Sequence, residues 1–137
     1  MDTTIRQPVR ARLITAEDRE VPVPATLRYS VHDPLAVFVD FPPEAALDGE
    51  HVTWIFARSL LDAGLAAPAG RGDVRIRPCG ATRTLLEFHA PHGVAVLGFD
   101  TGALRDFLRR SYAVVAAGEE DVGTAVERGL GALFGGV

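Results

Sequence analysis

The chain has 137 residues, 47% of them apolar, with one cysteine and a net charge of −4. That length holds one domain with its own core, and the apolar share excludes wholesale disorder. A lone Cys79 excludes an intrachain disulfide, and the acidic balance excludes duplex DNA as the default partner.

In chain order, Ile5 to Ile14 reads as a first strand, in which Val9 and Leu13 alternate loosely with Arg10 and Arg12. Thr15 to Glu20 is a polar turn. Val21 to Val31 opens with Pro22 and Pro24, which suit the start of a strand and not its middle, so the strand proper is expected over Ala25 to Val31. Asp33-Pro34 initiates a turn. Leu35 to Phe41 follows as a strand with Leu35, Val37, Val39 and Phe41 on one face, and Pro42-Pro43 ends it. Val52 to Phe56 is the fourth strand. Val52, Trp54 and Phe56 share one face, while Ile55 makes the other apolar as well, which calls for a cover on both sides.

Ala57 to Ala63 reads as a short helix capped by Gly64. Three more strands follow, Asp73 to Arg77, Arg83 to Ala90 and Val94 to Phe99. Their short links, with Pro78, Gly80, Pro91 and Gly93, predict antiparallel neighbours. Asp100 or Thr101 caps a helix with an apolar stripe of Leu104, Phe107, Leu108 and Tyr112, ending near Ala117-Gly118. A last helix is expected over Glu119 to Phe134, with Val122, Val126, Leu130, Leu133 and Phe134 on one side and Ala125, Gly129 and Ala132 on another. The order ββββ-α-βββ-α-α, with no linker inside residues 1–137, predicts a single α+β domain built on a curved antiparallel sheet.

The chemistry-bearing residues form no convincing site. His89 and His92 bracket Ala90-Pro91, but a catalytic zinc needs a third protein ligand. His32 lies in a turn and His51 at a loop–strand boundary. Cys79 in Pro-Cys-Gly, expected as an inert small hydrophobe, and Ser30 near His32 lack the surroundings of an activated nucleophile. Gly70-Arg71-Gly72 has no phosphate-loop lysine and reads as a turn. No metal, cofactor or catalytic residue is therefore expected. Arg71, Arg75, Arg77 and Arg83 form the most suggestive basic set, a candidate face for single-stranded nucleic acid, although a solvated sheet face is the plainer reading in an acidic chain.

All fourteen basic residues are Arg, and Lys and Asn are absent, the residue usage of a GC-rich genome. The opening residues are too polar for a signal peptide, and Tyr112 to Ala117 is too short to span a bilayer, so a cytoplasmic protein is expected.

Four segments together resemble the SsgA-like proteins of morphologically complex actinomycetes. They are VPVPATLRYSVHDPLAVFVDF (Val21 to Phe41), VTWIFARSLLDAGL (Val52 to Leu65), Pro68 to Pro78 ending in GDVRIRP, and FLRRSYAVVAAGEE (Phe107 to Glu120). Departures from the family pattern are Ser30, where the family is usually acidic, Leu35, often aromatic, and Arg77, often Trp. The resemblance implies a non-enzymatic regulator of sporulation-specific cell division, an adaptor that helps place the septum and recruit FtsZ. It implies a barrel-like sheet similar to the whirly single-strand nucleic-acid binders and a homotrimer. Its implied partners are FtsZ and other SsgA-like proteins at the division septum, with membrane association only through them. Two-sided apolar surface gives a separate reason to expect self-association. The candidate oligomer surface is Trp54, Ile55, Phe56, Ala125, Gly129, Leu130, Leu133 and Phe134. Single-stranded nucleic acid on the arginine set is the alternative.

Overall fold

A computed structural model describes residues 4–15, 19–43 and 49–120. Its elements are β1 (Thr4–Ile14), β2 (Glu20–Ser30), β3 (Ala36–Phe41), β4 (Val52–Ala57), α1 (Arg58–Ala66), β5 (Val74–Cys79), β6 (Arg83–Ala90), β7 (Gly93–Asp100) and α2 (Thr101–Val114). The predicted order holds through α2. Of the expected last helix, Glu119 and Glu120 are non-helical, and the rest lies outside the described residues.

The strands form one seven-stranded antiparallel sheet in the order β4-β3-β2-β1-β7-β6-β5. Two meanders are thus laid back to back. They join where β1 meets β7, through Arg12↔Gly98, Leu13↔Leu97 and Ile14↔Val96. Side chains alternate strictly, so one face of the sheet carries the core. Ile5, Ala11, Leu27, Tyr29, Val37, Val39, Ile76, Leu86, Phe88, Leu97 and Phe99 are buried there. Leu61 from α1 and Leu104, Phe107 and Leu108 from α2 close that face. The sheet curls far enough for strands distant in its order to touch. Phe88 of β6 meets Trp54 of β4 at 5.0 Å between ring centroids, and Phe41 of β3 edge-on at 5.9 Å.

Strand β2 runs through Pro22 and Pro24, where the sequence pattern expects a strand only from Ala25. The reason lies in its neighbours. Along Glu20 to Ser30 it pairs with β1, whereas β3 joins it only at Thr26 to Arg28. Both prolines sit where β2 has a single partner strand, so a missing N–H is tolerated. Strand β3 begins at Ala36, and Leu35 is left in the preceding turn, 52% exposed, rather than on the core face.

Gly64 does not end α1, which continues to Ala66. It is buried, and a Cβ there would overlap Cβ and Cγ2 of Ile76 and stand 3.2 Å from the Ile76 carbonyl oxygen. The glycine is required for the close approach of α1 to β5. Asp100 caps α2 as expected, its carboxylate accepting the Gly102 N–H at 3.0 Å. The helix stops at Val114 rather than near Ala117, and the Val115 carbonyl is taken by a side chain from α1.

Gly64→Ala is expected to destabilise the fold by about 1–3 kcal/mol, because overpacking outweighs the helix-propensity gain of about 1 kcal/mol. Urea unfolding followed through the single Trp54 measures it, and an unchanged midpoint would contradict the close packing.

Candidate interaction surface

The outer face of the sheet is set by the same alternation that builds the core. On β2, β3 and β4 it presents Arg28, Phe38, Asp40, Thr53 and Ile55, through the pairings Arg28↔Phe38, Phe38↔Ile55 and Asp40↔Thr53. Arg28 donates to Asp40 Oδ2 at 2.9 Å and to Oδ1 at 3.2 Å, and its guanidinium lies 4.3 Å from the Phe38 ring centroid. Thr53 Oγ1 donates to Asp40 Oδ1 at 2.6 Å. The hydrogen bond from Arg28, opposed by burial and reinforced by Thr53, holds the Asp40 carboxyl below its ordinary range.

The two edges of the sheet differ. Along β5, Ala69 and Ile76 exchange backbone hydrogen bonds of 2.8 and 2.9 Å, so that edge is partly covered. No strand pairs with the outer edge of β4 among the described residues. Ile55 on that strand is 57% exposed, and the exposed Leu35 stands in the turn just before Ala36, which pairs with Ala57. An open edge beside exposed apolar groups is a template for pairing with another chain.

Of the described residues singled out for self-association, Ile55 alone is exposed. Phe56 is buried in the core, and Trp54 is half-buried against Phe88. Ala125, Gly129, Leu130, Leu133 and Phe134 lie outside the described residues.

The four candidate arginines split in two. As expected, Arg75 and Arg77 point away from the buried Val74 and Ile76. Arg77 is ion-paired with Glu87, which also contacts His89 Nε2 at 3.1 Å. Arg83 is paired with Glu20, one of its two contacts being 3.1 Å, and reaches it by lying flat over β7. A Cβ at Gly98 would stand 2.5 Å from Arg83 Nε, so this glycine keeps the path open. Arg71 and Arg75 remain exposed beside a depression of about 460 Å³, and Arg75 Nε donates to the Gly72 carbonyl at 3.4 Å.

His92 is exposed in the β6–β7 turn, and no group of three or more His, Cys, Asp and Glu suited to a metal occurs among the described residues. Cys79 is a free, exposed cysteine at the end of β5. No helix among the described residues is long and apolar enough to cross a membrane.

Sequence patterning missed Arg58. Its side chain is 1% exposed, at the first position of α1. The guanidinium sits between two rings, 4.9 Å from the Tyr29 centroid and 4.1 Å from that of Tyr112. Nη1 donates to the Val115 carbonyl at 2.7 Å and to Ser111 Oγ at 3.4 Å, and Nη2 lies 3.2 Å from Glu120 Oε2. Tyr29 donates to the Pro34 carbonyl at 2.8 Å, and Tyr112 to Asp62 Oδ2 at 3.0 Å. One signal pointed there: Arg58 falls on the same helical face as the buried Leu61 and Gly64. Both tyrosines are pushed above their ordinary range, mainly by burial. Tyr112, which also donates to an acidic Asp62, reaches about 12.

Comparison with known proteins fits this architecture. The profile of the family described as Streptomyces sporulation and cell division protein, SsgA, matches residues 23–120. The chain belongs to the SsgA family. It is 44% identical over 133 residues to the sporulation-specific cell division protein SsgB of Salinispora tropica, with 92% of each chain covered. It is 40% identical over 123 residues to SsgB of Streptomyces coelicolor, covering 88% of each. A structure solved in a study of SsgB mutations and longitudinal division during Streptomyces coelicolor sporulation superposes with a TM-score of 0.78 at 37% identity, over 88% of this chain and 95% of that one. The crystal structure of an SsgA-like sporulation-specific cell division protein from Thermobifida fusca gives a TM-score of 0.78 at 36% identity, over 92% and 95%.

In this SsgA-family chain, Arg58→Ala is expected to cost about 2–5 kcal/mol through the cavity it leaves. Arg58→Lys is expected to recover less than half of that, because an ammonium cannot stack flat between two rings. Urea midpoints of the two variants decide it, and full rescue by Lys would show that charge alone matters.

A second expectation concerns alkaline pH. Tyr29 and Tyr112 are the two tyrosines of the chain. Both stay neutral in the fold at a pH where the unfolded chain, with an ordinary value of 10.0, ionises. Stability is therefore intact below pH 10 and falls as pH rises from there toward about 12. Phenolate absorbance should appear together with unfolding, and tyrosine titration near pH 10 in a folded chain would contradict it.

Proposed function

We propose that this protein is a non-enzymatic adaptor in sporulation-specific cell division, acting through a homo-oligomer, of trimeric order, and through contacts with division proteins that include FtsZ and other SsgA-like proteins. Membership of a family whose relatives are named sporulation-specific cell division proteins carries the reading. Its place of action on this reading is the division septum, reached through partners.

The open edge of β4, with Ile55 exposed beside it, supports self-association. Backbone pairing across that edge would satisfy free N–H and C=O groups and cover Ile55 and Leu35 together. The outer face there is otherwise tied down by the Arg28–Asp40–Thr53 network, which holds it in one shape for a partner. The alternative, a single-stranded nucleic-acid binder using Arg71, Arg75, Arg77 and Arg83, draws less support, because two of those four are already held by carboxylates.

The expected result of affinity capture from sporulating cells at physiological salt is nuclease-insensitive recovery of FtsZ or a second SsgA-like protein. Nuclease-sensitive recovery would overturn the adaptor reading. For self-association, sedimentation at micromolar concentration should show an oligomer that Ile55→Glu converts to monomer. A monomeric unmodified protein would remove the oligomer from the proposal.

A further inference from the structure

Three arginines stand in a row along β1. Arg6, Arg10 and Arg12 are exposed on the outer face, in alternation with Ile5 and Ala11, whose side chains are buried on the other. None of the three takes part in an ion pair or side-chain hydrogen bond among the described residues. Five arginines elsewhere are neutralised in place, Arg28 with Asp40, Arg58 with Glu120, Arg77 with Glu87, Arg83 with Glu20 and Arg109 with Asp106, whereas Arg75 and Arg110 bond only neutral groups, the Gly72 carbonyl and Gln7. Carboxylates are not scarce, at eighteen against fourteen arginines. Yet the central strand of the sheet is given none, and Arg6 is even set directly opposite Arg28. Like charges facing each other across strands are destabilising.

The surroundings keep this row accessible. Arg12 faces Pro22 on one side and Gly98 on the other, Arg10 faces Pro24, and Pro8 faces Thr26. These are short side chains. Two surface depressions meet at Arg10. One, of about 590 Å³, is lined by Arg10, Arg12, Arg83, Gly98 and Asp100. The other, of about 480 Å³, is lined by Pro8, Arg10, Pro24, Thr26, Asp40 and His51. Together they make an elongated trough along the strand. The carboxylates on its walls are engaged: Glu20 with Arg83, Asp40 with Arg28, and Asp100 with the α2 N-terminus.

The row has the period of an extended chain. Arg10 and Arg12 are two residues apart and Arg6 and Arg10 four, roughly 7 and 13 Å along a strand. Carboxylates at alternate positions of a second extended chain repeat at the same interval, and each planar guanidinium can grip one through two parallel hydrogen bonds. Nucleic acid fits less well, since single strands are held by stacking as much as by charge. Among the described residues the trough presents no exposed Phe, Tyr or Trp ring, His51 being the one exposed aromatic ring on its wall: Phe99, which borders it, is 2% exposed, and Phe38 on the neighbouring outer face lies under Arg28.

We propose that Arg6, Arg10 and Arg12 form a docking track for an acidic, extended segment of a partner protein. This rests on the adaptor reading and names the chemistry of one contact it makes.

The test is fluorescence anisotropy with a labelled synthetic peptide of alternating Glu and Thr, against a Gln–Thr peptide and an oligothymidylate. The Glu–Thr peptide should bind, with affinity falling as salt is raised. Arg10→Gln/Arg12→Gln should weaken it about tenfold or more, while Arg105→Gln, an exposed arginine of α2, should leave it within about twofold. Should the double variant fail to fold, amide chemical shifts of the unmodified protein read the same question. Perturbation concentrated at residues 6–12 and 22–26 supports the track, and perturbation at 71–77 overturns it. No binding of the Glu–Thr peptide, equal binding of the Gln–Thr peptide, or preference for the oligothymidylate would each overturn it too. Failure of the track and failure of the adaptor reading are separable. If the unmodified protein captures division proteins from cells but ignores the peptide, the adaptor stands and the track falls.

Discussion

The packing of this domain depends on one buried cation. Arg58 joins parts of the chain that the sheet does not connect: the start of α1, the end of α2, Tyr29 on β2, and the residues just after α2. A guanidinium in an apolar core is costly unless its charge is met there. Two aromatic faces and the Glu120 carboxylate meet the charge, and a main-chain carbonyl and a hydroxyl accept from Nη1, while Nε and Nη2 are buried without a hydrogen-bond acceptor among the described residues. Each partner is thereby fixed in turn. Tyr29 is anchored at its far end to Pro34, which holds the β2–β3 turn, and the Leu35 carbonyl in that turn accepts the Arg58 N–H at 2.8 Å. The side chain and main chain of one residue therefore determine how α1 leaves β4 and where α2 stops.

The inner face of the sheet shows how far the sequence could be read. Strict alternation in β3, and the capped stripe of α2, are legible because each obeys a local rule. Pro22 and Pro24 were misjudged because their tolerance depends on which neighbour β2 lacks, a fact of topology. Gly64 was taken for a cap because glycine after a short apolar run usually is one. Its actual role follows from Ile76, twelve residues on, and is invisible until α1 and β5 are placed together. Arg58 was hidden for the same reason, since a lone arginine beside apolar residues reads as a helix surface until its rings are known. The density of arginines from Arg71 to Arg83 along the chain says nothing of their partners: the acids that neutralise Arg77 and Arg83 come from β6 and β2.

What distinguishes the outer face is how its charge is distributed. Around Asp40, Glu20 and Glu87 the arginines are neutralised in place, and the surface they make is fixed and nearly neutral. Gly98 contributes to this order at a distance, since without a side chain on β7 Arg83 could not reach across to β2. Along β1 the pattern is reversed. The difference cannot come from overall charge, which is negative, so it is a property of that strand's place in the sheet.

The strand order then separates two demands on one face. Three strand spacings, roughly 14 Å, lie between β4 and β1. A second copy pairing at the β4 edge would extend the sheet sideways and cover Ile55 and Leu35, with β2 and β3 between it and the arginine row. The Arg28–Asp40–Thr53 network spans that interval and stiffens it. An assembly built through β4 therefore leaves the β1 rows of its subunits open and side by side. Several weak electrostatic contacts in parallel would then act as one strong one, because each bound segment raises the effective concentration of the next. A single exposed row of three arginines is a modest binding site; its repetition by assembly is what would let a small domain hold a partner that carries several acidic segments.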